Sequence, residues 1–204
     1  METSQKKYRE VASGTSDGIK RAFDVVSGVI LLFVLAIPMA VFALAVRLTS
    51  RGPVLYWSDR VGVDNKIFRM PKFRSMCPDA PQLATHLLTE PHRHLTVIGR
   101  FLRRSSLDEL PQIISILRGD LSFVGPRPAL FNQHDLVELR TRFGIHRLVP
   151  GLTGWAQING RDELPIPVKV EYDRYYLQHR SFSLDCKILF ITLLKVFRRE
   201  GVSH

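Results

Sequence analysis

The longest uninterrupted hydrophobic pattern in this 204-residue chain lies near its N-terminus. Residues 25–46 carry no charge, and 29–46 consist of Val, Ile, Leu, Phe, Ala and Met with the single exception of Pro38. As a straight helix, 29–46 would be roughly 27 Å long, close to the ~30 Å hydrocarbon core of a bilayer. The pattern predicts a membrane segment, which we place at 18–51, after a mobile polar leader at 1–17.

The centre and the flanks of this segment distinguish two topologies. Pro38 removes a helical hydrogen bond and predicts a sharp bend. Basic residues lie on both sides, including Lys20 and Arg21 before the segment and Arg47 and Arg51 after it. A re-entrant helix-break-helix hairpin keeps both flanks in the cytoplasm, as basic residues prefer. We predict this hairpin; the alternatives are a kinked single span and a cleaved signal peptide.

The remaining residues, 52–204, contain shorter periodic segments without a linker between them, which predicts one cytoplasmic catalytic domain. Gly119 and Gly144 fall where two of its helices would end. The pattern predicts a small β-hairpin from 54–57 and 66–70, and helices at 97–104, 107–118, 131–143 and 168–179. The predicted fold class is therefore α+β, mostly helical and membrane-associated.

The C-terminal segment, 184–199, has two faces when drawn at 3.6 residues per turn. This predicts an amphipathic helix, which lies either at the membrane interface, against anionic headgroups, or on the surface of a protein core. The basic face carries Lys187, Lys195, Arg198 and Arg199, and the apolar face carries Leu189, Phe190, Leu193, Leu194, Val196 and Phe197.

Composition adds an anionic partner to this picture. With 29 Lys and Arg against 19 Asp and Glu, the formal net charge is +10, which indicates nucleic acid, lipid headgroups or a phosphorylated substrate. A hydrophobic content of 45% excludes a disordered basic tail as the main state.

Cys77 and Cys186 stand far apart, which fits a reducing compartment. His92 and His94 have no third metal ligand nearby in the sequence, so we assign them no role.

The first candidate for chemistry is the carboxylate pair Asp108 and Glu109. Pro111 is tolerated only in the first turn of a helix, so the pair falls at a helix N-terminus, where N–H groups and the dipole favour anions. Arg103 adds a cation one turn earlier. The alternative is structural: Ser106 and Glu109 fit a Ser-x-x-Glu capping box.

Three further clusters carry side chains suited to phosphate. Arg127 stands between two prolines, which restrict its backbone, and a guanidinium grips phosphate through paired hydrogen bonds. Lys72 and Arg74 flank one aromatic residue. The Arg127 segment alone could be a rigid surface turn, and each of the other two clusters is a weak signal singly. Together the clusters describe carboxylates facing a phosphate-binding surface beside a membrane. The glycine-punctuated loop 151–161 contributes Gln157, Asn159 and Arg161.

Five motifs that follow one another along the chain resemble those of the bacterial sugar transferase family, the monotopic polyprenyl-phosphate phosphoglycosyl transferases. The similarity runs from about residue 20 to residue 202 and therefore covers nearly all of the chain beyond the leader. The motifs are Lys-Arg-x-x-Asp at 20–24, Lys-Phe-Arg-Ser-Met at 72–76, Ser-Leu-Asp-Glu-Leu-Pro-Gln at 106–112, Val-Gly-Pro-Arg-Pro at 124–128 and Gly-Leu-Thr-Gly-Trp-Ala-Gln-Ile-Asn-Gly-Arg at 151–161.

The resemblance implies a membrane enzyme that moves a phosphosugar from a UDP-sugar to undecaprenyl phosphate, releases UMP and initiates a bacterial surface glycan or glycoconjugate. It implies Mg²⁺ as cofactor and a covalent intermediate. In that scheme Asp108 is the nucleophile on the β-phosphate and Glu109 is associated with the metal. Arg127 and Arg103 match cations of the phosphate site.

The resemblance also implies a location. The family's re-entrant segment bends at a central proline, here Pro38, and holds the enzyme on the cytoplasmic face of the inner membrane, in contact with phospholipid. Ile37 departs from the Ser-Pro pair that is frequent at this bend. We expect no nucleic acid partner. The competing hypothesis is a non-catalytic, membrane-tethered basic protein that binds nucleic acid or anionic lipid, for which Asp108 and Glu109 have no special role.

Overall fold

The structure is a computed structural model that describes residues 15–77, 95–160 and 164–198. Over these ranges the chain is mostly helical and carries two small sheets, which confirms the α+β, mostly helical part of the predicted fold class. The elements are α1 (Thr15–Thr49), β1 (Leu55–Val61), a 3-10 helix (Val63–Asn65), β2 (Ile67–Phe73), α2 (Val97–Arg104), a 3-10 helix (Leu107–Gln112), α3 (Ile113–Arg118), β3 (Ser122–Val124), α4 (His134–Arg142), a 3-10 helix (Ile145–Arg147), β4 (Gly151–Thr153), α5 (Trp155–Asn159), α6 (Ile166–His179) and α7 (Phe182–Arg198).

The N-terminal apolar run forms one long helix, α1, which begins at Thr15. The predicted break at Pro38 is not confirmed, because the residues on both sides of this proline belong to one helix, α1. A proline removes only one donor from the helix, and membrane helices tolerate the change when neighbouring groups satisfy the freed carbonyl. Phe33 and Ile37 are 79% and 78% exposed, and the helix is long and apolar enough to cross a bilayer.

The N-terminal end of α1 is bound to α3 and β3. The Arg21 guanidinium donates hydrogen bonds to the carbonyl oxygens of Ile116 (2.6 Å) and Leu117 (2.8 Å), in the last turn of α3. A cation is favourable at this helix end because of the dipole. Asp24 Oδ1 accepts a hydrogen bond of 3.2 Å from the N–H of Phe123 in β3.

The C-terminal end of α1 packs against the same unit. Val46 is fully buried and shares a small core with Phe73 of β2 and Leu102 of α2. Ser50 lies just beyond the helix. Its carbonyl oxygen and its Oγ accept hydrogen bonds of 2.9 and 2.7 Å from Arg74 Nη2. Both ends of α1 are therefore held by one folded unit.

Two small sheets organise the rest of the chain. The predicted hairpin is confirmed: β1 and β2 are antiparallel and pair Tyr56 with Lys72. The second sheet consists of β3 and β4, which are parallel and were not predicted from the sequence. Parallel strands need a long crossover connection, and α4 lies within it. The buried side chains of Ile116, Val124 and Ile188 belong to the main core beside this sheet.

The predicted helices are present with small changes of boundary, apart from the segment 107–118. Its first half is a 3-10 helix, and only Ile113–Arg118 is α-helical. The preceding residue, Ser106, has a left-handed backbone with a φ of 56°, so the chain turns sharply before Asp108. Gly119, with a φ of 94°, ends α3 as predicted.

The C-terminal helix α7 confirms the predicted helix and shows where its faces point. Ile188 is fully buried, while Phe190 and Leu193 are 62% and 58% exposed. Lys195 turns toward the protein, where its Nζ donates to the carbonyl oxygen of Ile158 over 2.6 Å. Several apolar side chains of α7 therefore face outward, while Lys195, predicted on the basic face, turns inward.

Candidate active site

The carboxylate pair lies where the 3-10 helix Leu107–Gln112 packs against β2. The left-handed turn at Ser106 directs the chain so that Asp108 is buried, with only 7% of its surface exposed. Glu109, the next residue, is partly exposed. Neighbouring carboxylates therefore occupy different surroundings at one site.

Burial is the main influence on the titration of Asp108 and raises its pKa from 3.8 to about 6. The positive charge of Lys72 acts in the opposite direction, the negative charge of Glu109 raises the pKa further, and the charges of Arg103 and Arg127 lower it. Four charged side chains thus act on this one carboxyl group.

Glu109 forms the centre of an ion cluster. Its Oε1 accepts hydrogen bonds from Lys72 Nζ at 2.7 Å and from Arg127 Nη2 at 2.8 Å. Burial alone would raise the pKa of Glu109, but the charges of Arg127 and Lys72 and their hydrogen bonds hold it well below its usual range. The capping box is wrong, since this carboxylate binds two cations and the Ser106 side chain makes no capping hydrogen bond within the described residues.

The loop that presents Arg127 follows β3 and is set by the parallel sheet. Gly125 N–H donates to Thr153 O, and Gly151 N–H donates to Pro126 O, both over 2.9 Å. A Cβ at Gly125 would lie 2.5 Å from the carbonyl oxygen of Val149. This close approach of two backbones needs glycine, and it fixes where the Pro-Arg-Pro segment leaves the sheet.

Two predicted binding residues are engaged elsewhere. Arg74 is buried and directs Nη2 to Ser50, at the end of α1. Asn159 is exposed, and its Nδ2 donates to the carbonyl oxygen of Trp155 in the same helix over 2.7 Å. These contacts stabilise local structure and bring neither side chain into the ion cluster.

Three further predicted residues have different positions. Arg103 lies close enough to Asp108 to lower its pKa. Within the described part of the chain, both amide atoms of Gln157 are buried without a hydrogen-bond partner, so the side chain has unused donor and acceptor capacity. Arg161 lies outside the described residues, as do His92 and His94.

The donor chemistry of the site fits Mg²⁺. This ion is commonly held by one or two carboxylates together with substrate phosphates, and it does not need a dedicated protein cage. Asp108 and Glu109 provide two adjacent carboxylates. Over the ranges 15–77, 95–160 and 164–198, no cluster of three or more His, Cys, Asp or Glu forms a complete metal site, so donor phosphates would have to complete the coordination.

Sequence reasoning missed one charged pair behind the site. Arg140 in α4 and Asp173 in α6 are buried, and Arg140 Nη2 lies 2.6 Å from Asp173 Oδ2. Both lie in helices that were predicted, yet they are 33 positions apart. Because sequence spacing does not bring them together, the only available signal was a charged residue on each helix.

The chain belongs to the bacterial sugar transferase family, because the family model of that description matches residues 15–199. Among its relatives, an undecaprenyl-phosphate glucose phosphotransferase from Komagataeibacter xylinus is 42% identical over 89% of this chain and 36% of its own length. A UDP-glucose:undecaprenyl-phosphate glucose-1-phosphate transferase from Escherichia coli (strain K12) is 39% identical over 93% of this chain and 42% of its own length.

These two relatives are much longer than the matched region, so the chain spans less than half of each. A shorter relative, the uncharacterized sugar transferase EpsL of Bacillus subtilis (strain 168), is 41% identical, and the match covers 91% of both chains. The family resemblance predicted from the five motifs is confirmed.

Proposed function

We propose that this chain transfers a phosphosugar from a UDP-sugar to undecaprenyl phosphate, with release of UMP and with a covalent adduct on Asp108. The observation that carries the proposal is the buried Asp108 carboxyl group beside Glu109, whose Oε1 binds Lys72 and Arg127. The names of the two glucose phosphotransferase relatives state the same reaction class and support the proposal. The lipid-linked product would begin a bacterial surface glycan or glycoconjugate.

The reaction proceeds in two displacements at one phosphorus atom. A carboxylate oxygen of Asp108 attacks the β-phosphorus that bears the sugar. The bond from that phosphorus to the bridging oxygen breaks, and UMP leaves with the electron pair. A phosphate oxygen of undecaprenyl phosphate then attacks the same phosphorus and displaces the Asp108 carboxylate. Because the transfer is divided, a soluble donor and a lipid acceptor can use one site in turn.

The cations of the site suit this chemistry. An anionic nucleophile has to approach an anionic diphosphate, and preorganised positive groups lower the energy of that encounter. Lys72, Arg103 and Arg127 each lower the pKa of Asp108 and so favour its nucleophilic, ionised form. The guanidinium of Arg127 can also bind phosphate oxygens in a paired geometry.

Mg²⁺ is part of the proposal, with Glu109 as the residue that would hold it beside Asp108. When bound, the ion would neutralise charge on the donor diphosphate and on the departing UMP. The role of the protein is to keep the carboxylate of Glu109 ionised, which the two cations at its Oε1 do.

The location we propose is the cytoplasmic face of the inner membrane, with α1 as a re-entrant anchor. Arg21 and Val46, near opposite ends of α1, both contact the same folded unit. A spanning helix would separate these contacts by the thickness of the bilayer. The exposed apolar side chains of α7, such as Phe190 and Leu193, would lie among phospholipids at the interface.

The test of the proposed function is adduct formation by the Asp108→Asn variant. Purified protein with Mg²⁺ and a panel of radiolabelled UDP-sugars should retain label after denaturation, and Asp108→Asn should retain none, because the amide is not a nucleophile. Asp64→Asn is the matched control. Asp64 is exposed in a left-handed turn, which asparagine adopts readily, so this variant should label like the wild type.

Release of UMP gives the complementary readout. Addition of undecaprenyl phosphate should discharge the adduct and transfer the label to lipid. A labelled Asp108→Asn protein would refute the assignment of the nucleophile. Failure of the wild-type protein to release UMP with any donor of the panel would return weight to a non-catalytic binding protein.

A further inference from the structure

The segment that carries Arg127 is held by its carbonyl groups. Prolines on either side of Arg127 lack N–H groups, so this segment cannot be fixed by an ordinary strand ladder. Instead, four consecutive carbonyl oxygens each accept a hydrogen bond from a distant donor, and two of these donors are neighbouring residues of β1. The donors are Gly151 N to Pro126 (2.9 Å), Arg140 Nη1 to Arg127 (2.8 Å), Arg60 Nη1 to Pro128 (3.3 Å) and Val61 N to Ala129 (3.0 Å).

The donor to Arg127 itself is a buried arginine held by an ion pair. Arg140 is 8% exposed and Asp173 only 1% exposed. Arg140 Nε and Nη2 both donate to Asp173 Oδ2, at 3.0 and 2.6 Å, while Nη1 reaches the Arg127 carbonyl oxygen. One planar guanidinium therefore joins α6 to the residue that contacts Glu109.

Geometry and energetics give this pair a specific role. Burying an ion pair is costly, and apolar side chains of similar volume often stabilise a fold as well or better. Asp173 fixes the guanidinium plane of Arg140 through two of its nitrogens, which leaves Nη1 pointing at one carbonyl oxygen. The direction of that N–H sets the position of the Arg127 backbone. From this backbone the Arg127 side chain extends to Glu109, and its Nη2 donates a hydrogen bond of 2.8 Å to Glu109 Oε1.

We infer that Arg140 and Asp173 form a positioning pair that orients Arg127 toward Glu109 and toward the donor diphosphate. The inference rests on the proposed function, which it deepens by adding residues that act without touching the substrate. The competing explanation is that the pair only ties α4 to α6. The two explanations differ in one respect: a positioning pair acts through the Arg127 side chain, and a structural tie does not.

The experiment is a double-mutant cycle between positions 140 and 127. Lysine at 140 keeps the charge next to Asp173, but its single nitrogen cannot maintain all three contacts. We expect Arg140→Lys to slow adduct formation by about 10- to 100-fold, since misplacement of about 1 Å can cost 100-fold. In an Arg127→Met background, Arg140→Lys should change the residual rate by less than about twofold, because coupled positions are not additive.

Asp173→Asn provides a second variant in case Arg140→Lys does not fold, and it should show the same dependence on Arg127. Affinity for UDP, titrated with the same variants, gives a readout that does not require turnover and should follow the same non-additive pattern. Arg142→Lys is the matched control. It alters an exposed arginine of α4 that pairs with Glu138 over 3.3 Å, and the adduct rate should be unchanged.

The outcomes distinguish failure of the proposed function from failure of the positioning pair. If wild-type protein forms no adduct, the proposed function fails, while the UDP titration still tests the coupling. If Arg140→Lys and Asp173→Asn reduce the rate equally with and without the Arg127 side chain, the pair is only structural and the inference is overturned. Unchanged activity and UDP affinity in both single variants would overturn it as well.

Discussion

At the scale of single residues, adjacent carboxyl groups at the site differ because different forces dominate their titration. Asp108 is controlled by burial, which raises its pKa to about 6. Glu109 is controlled by the cations at its Oε1, which hold its pKa well below the usual range. Glu109 therefore stays ionised near neutral pH, and Asp108 gains or loses its proton within an accessible pH range.

This difference predicts the pH dependence of adduct formation. In the proposed reaction the ionised carboxylate of Asp108 is the nucleophile, so the rate should fall as the pH drops through about 6 and reach a plateau above it. Because the charge of Lys72 lowers the pKa of Asp108, Lys72→Met should move the midpoint to higher pH. Single-turnover labelling between pH 5 and 8 measures both profiles.

A control variant and a normalisation of the rates make the pH prediction specific. Lys66→Met removes an exposed cation from the hairpin turn and should leave the midpoint in place. Rates are normalised to each variant's own plateau, because Lys72→Met should also lower the plateau. A midpoint that moves to lower pH in Lys72→Met would contradict the electrostatic account of Asp108.

At the scale of elements, the Lys-Arg-x-x-Asp motif connects α1 to three parts of the fold. Lys20 Nζ forms a 2.7 Å ion pair with Asp185 of α7, and Arg21 binds the C-terminal end of α3. Asp24 is buried and accepts the Phe123 N–H at the start of the parallel sheet. The contacts of this motif therefore anchor α1 to the folded unit.

The anchoring role predicts the effect of Asp24→Ala. This change leaves the buried N–H of Phe123 without its acceptor, which should lower the free energy of unfolding by about 1–3 kcal/mol. Asp17→Ala is the control, because Asp17 is half exposed and pairs with Arg180 at 3.1 Å, and such a pair contributes about 0–1 kcal/mol. Denaturant unfolding in detergent micelles compares the variants; equal losses would refute the anchoring account.

The elements also show how far the sequence could be interpreted. The hairpin and the longer helices follow from local periodicity and glycine stops, so they were predicted. The β3–β4 pair was missed because each strand has three residues and the partners are distant in sequence. The Asp108–Glu109 pair was found because its signal is local. Its contacts to Lys72 and Arg127 depend on tertiary packing, as does the positioning pair.

At the scale of the whole molecule, apolar surface lies on two separate helices. Phe33 and Ile37 project from the middle of α1, and Phe190 and Leu193 from α7, all of them more than half exposed. Large exposed apolar patches mark sites of membrane or protein contact. Since both ends of α1 contact the same folded unit, the arrangement supports insertion of the middle of α1 from one side of the bilayer.

That arrangement predicts the result of accessibility labelling at the two ends of α1. In a background with Cys77→Ser and Cys186→Ser, single cysteines are introduced by Gly18→Cys, where a side chain has open space, and by Arg51→Cys, which is exposed. A membrane-impermeant maleimide should label both sites in inverted inner-membrane vesicles and neither in intact spheroplasts.

The logic of this labelling depends on the contacts at both ends of α1. Arg21 and Val46 bind one folded unit, so both neighbouring cysteines must lie on the side where that unit lies. Ile37→Cys, in the exposed apolar middle, serves as the buried-in-lipid control and should resist the reagent in both preparations. If one end is labelled only in the inverted vesicles and the other end only in the spheroplasts, then α1 spans the membrane. In that case the contacts at one end cannot form in the bilayer, and the re-entrant proposal fails while the chemistry of Asp108 stands on its own test.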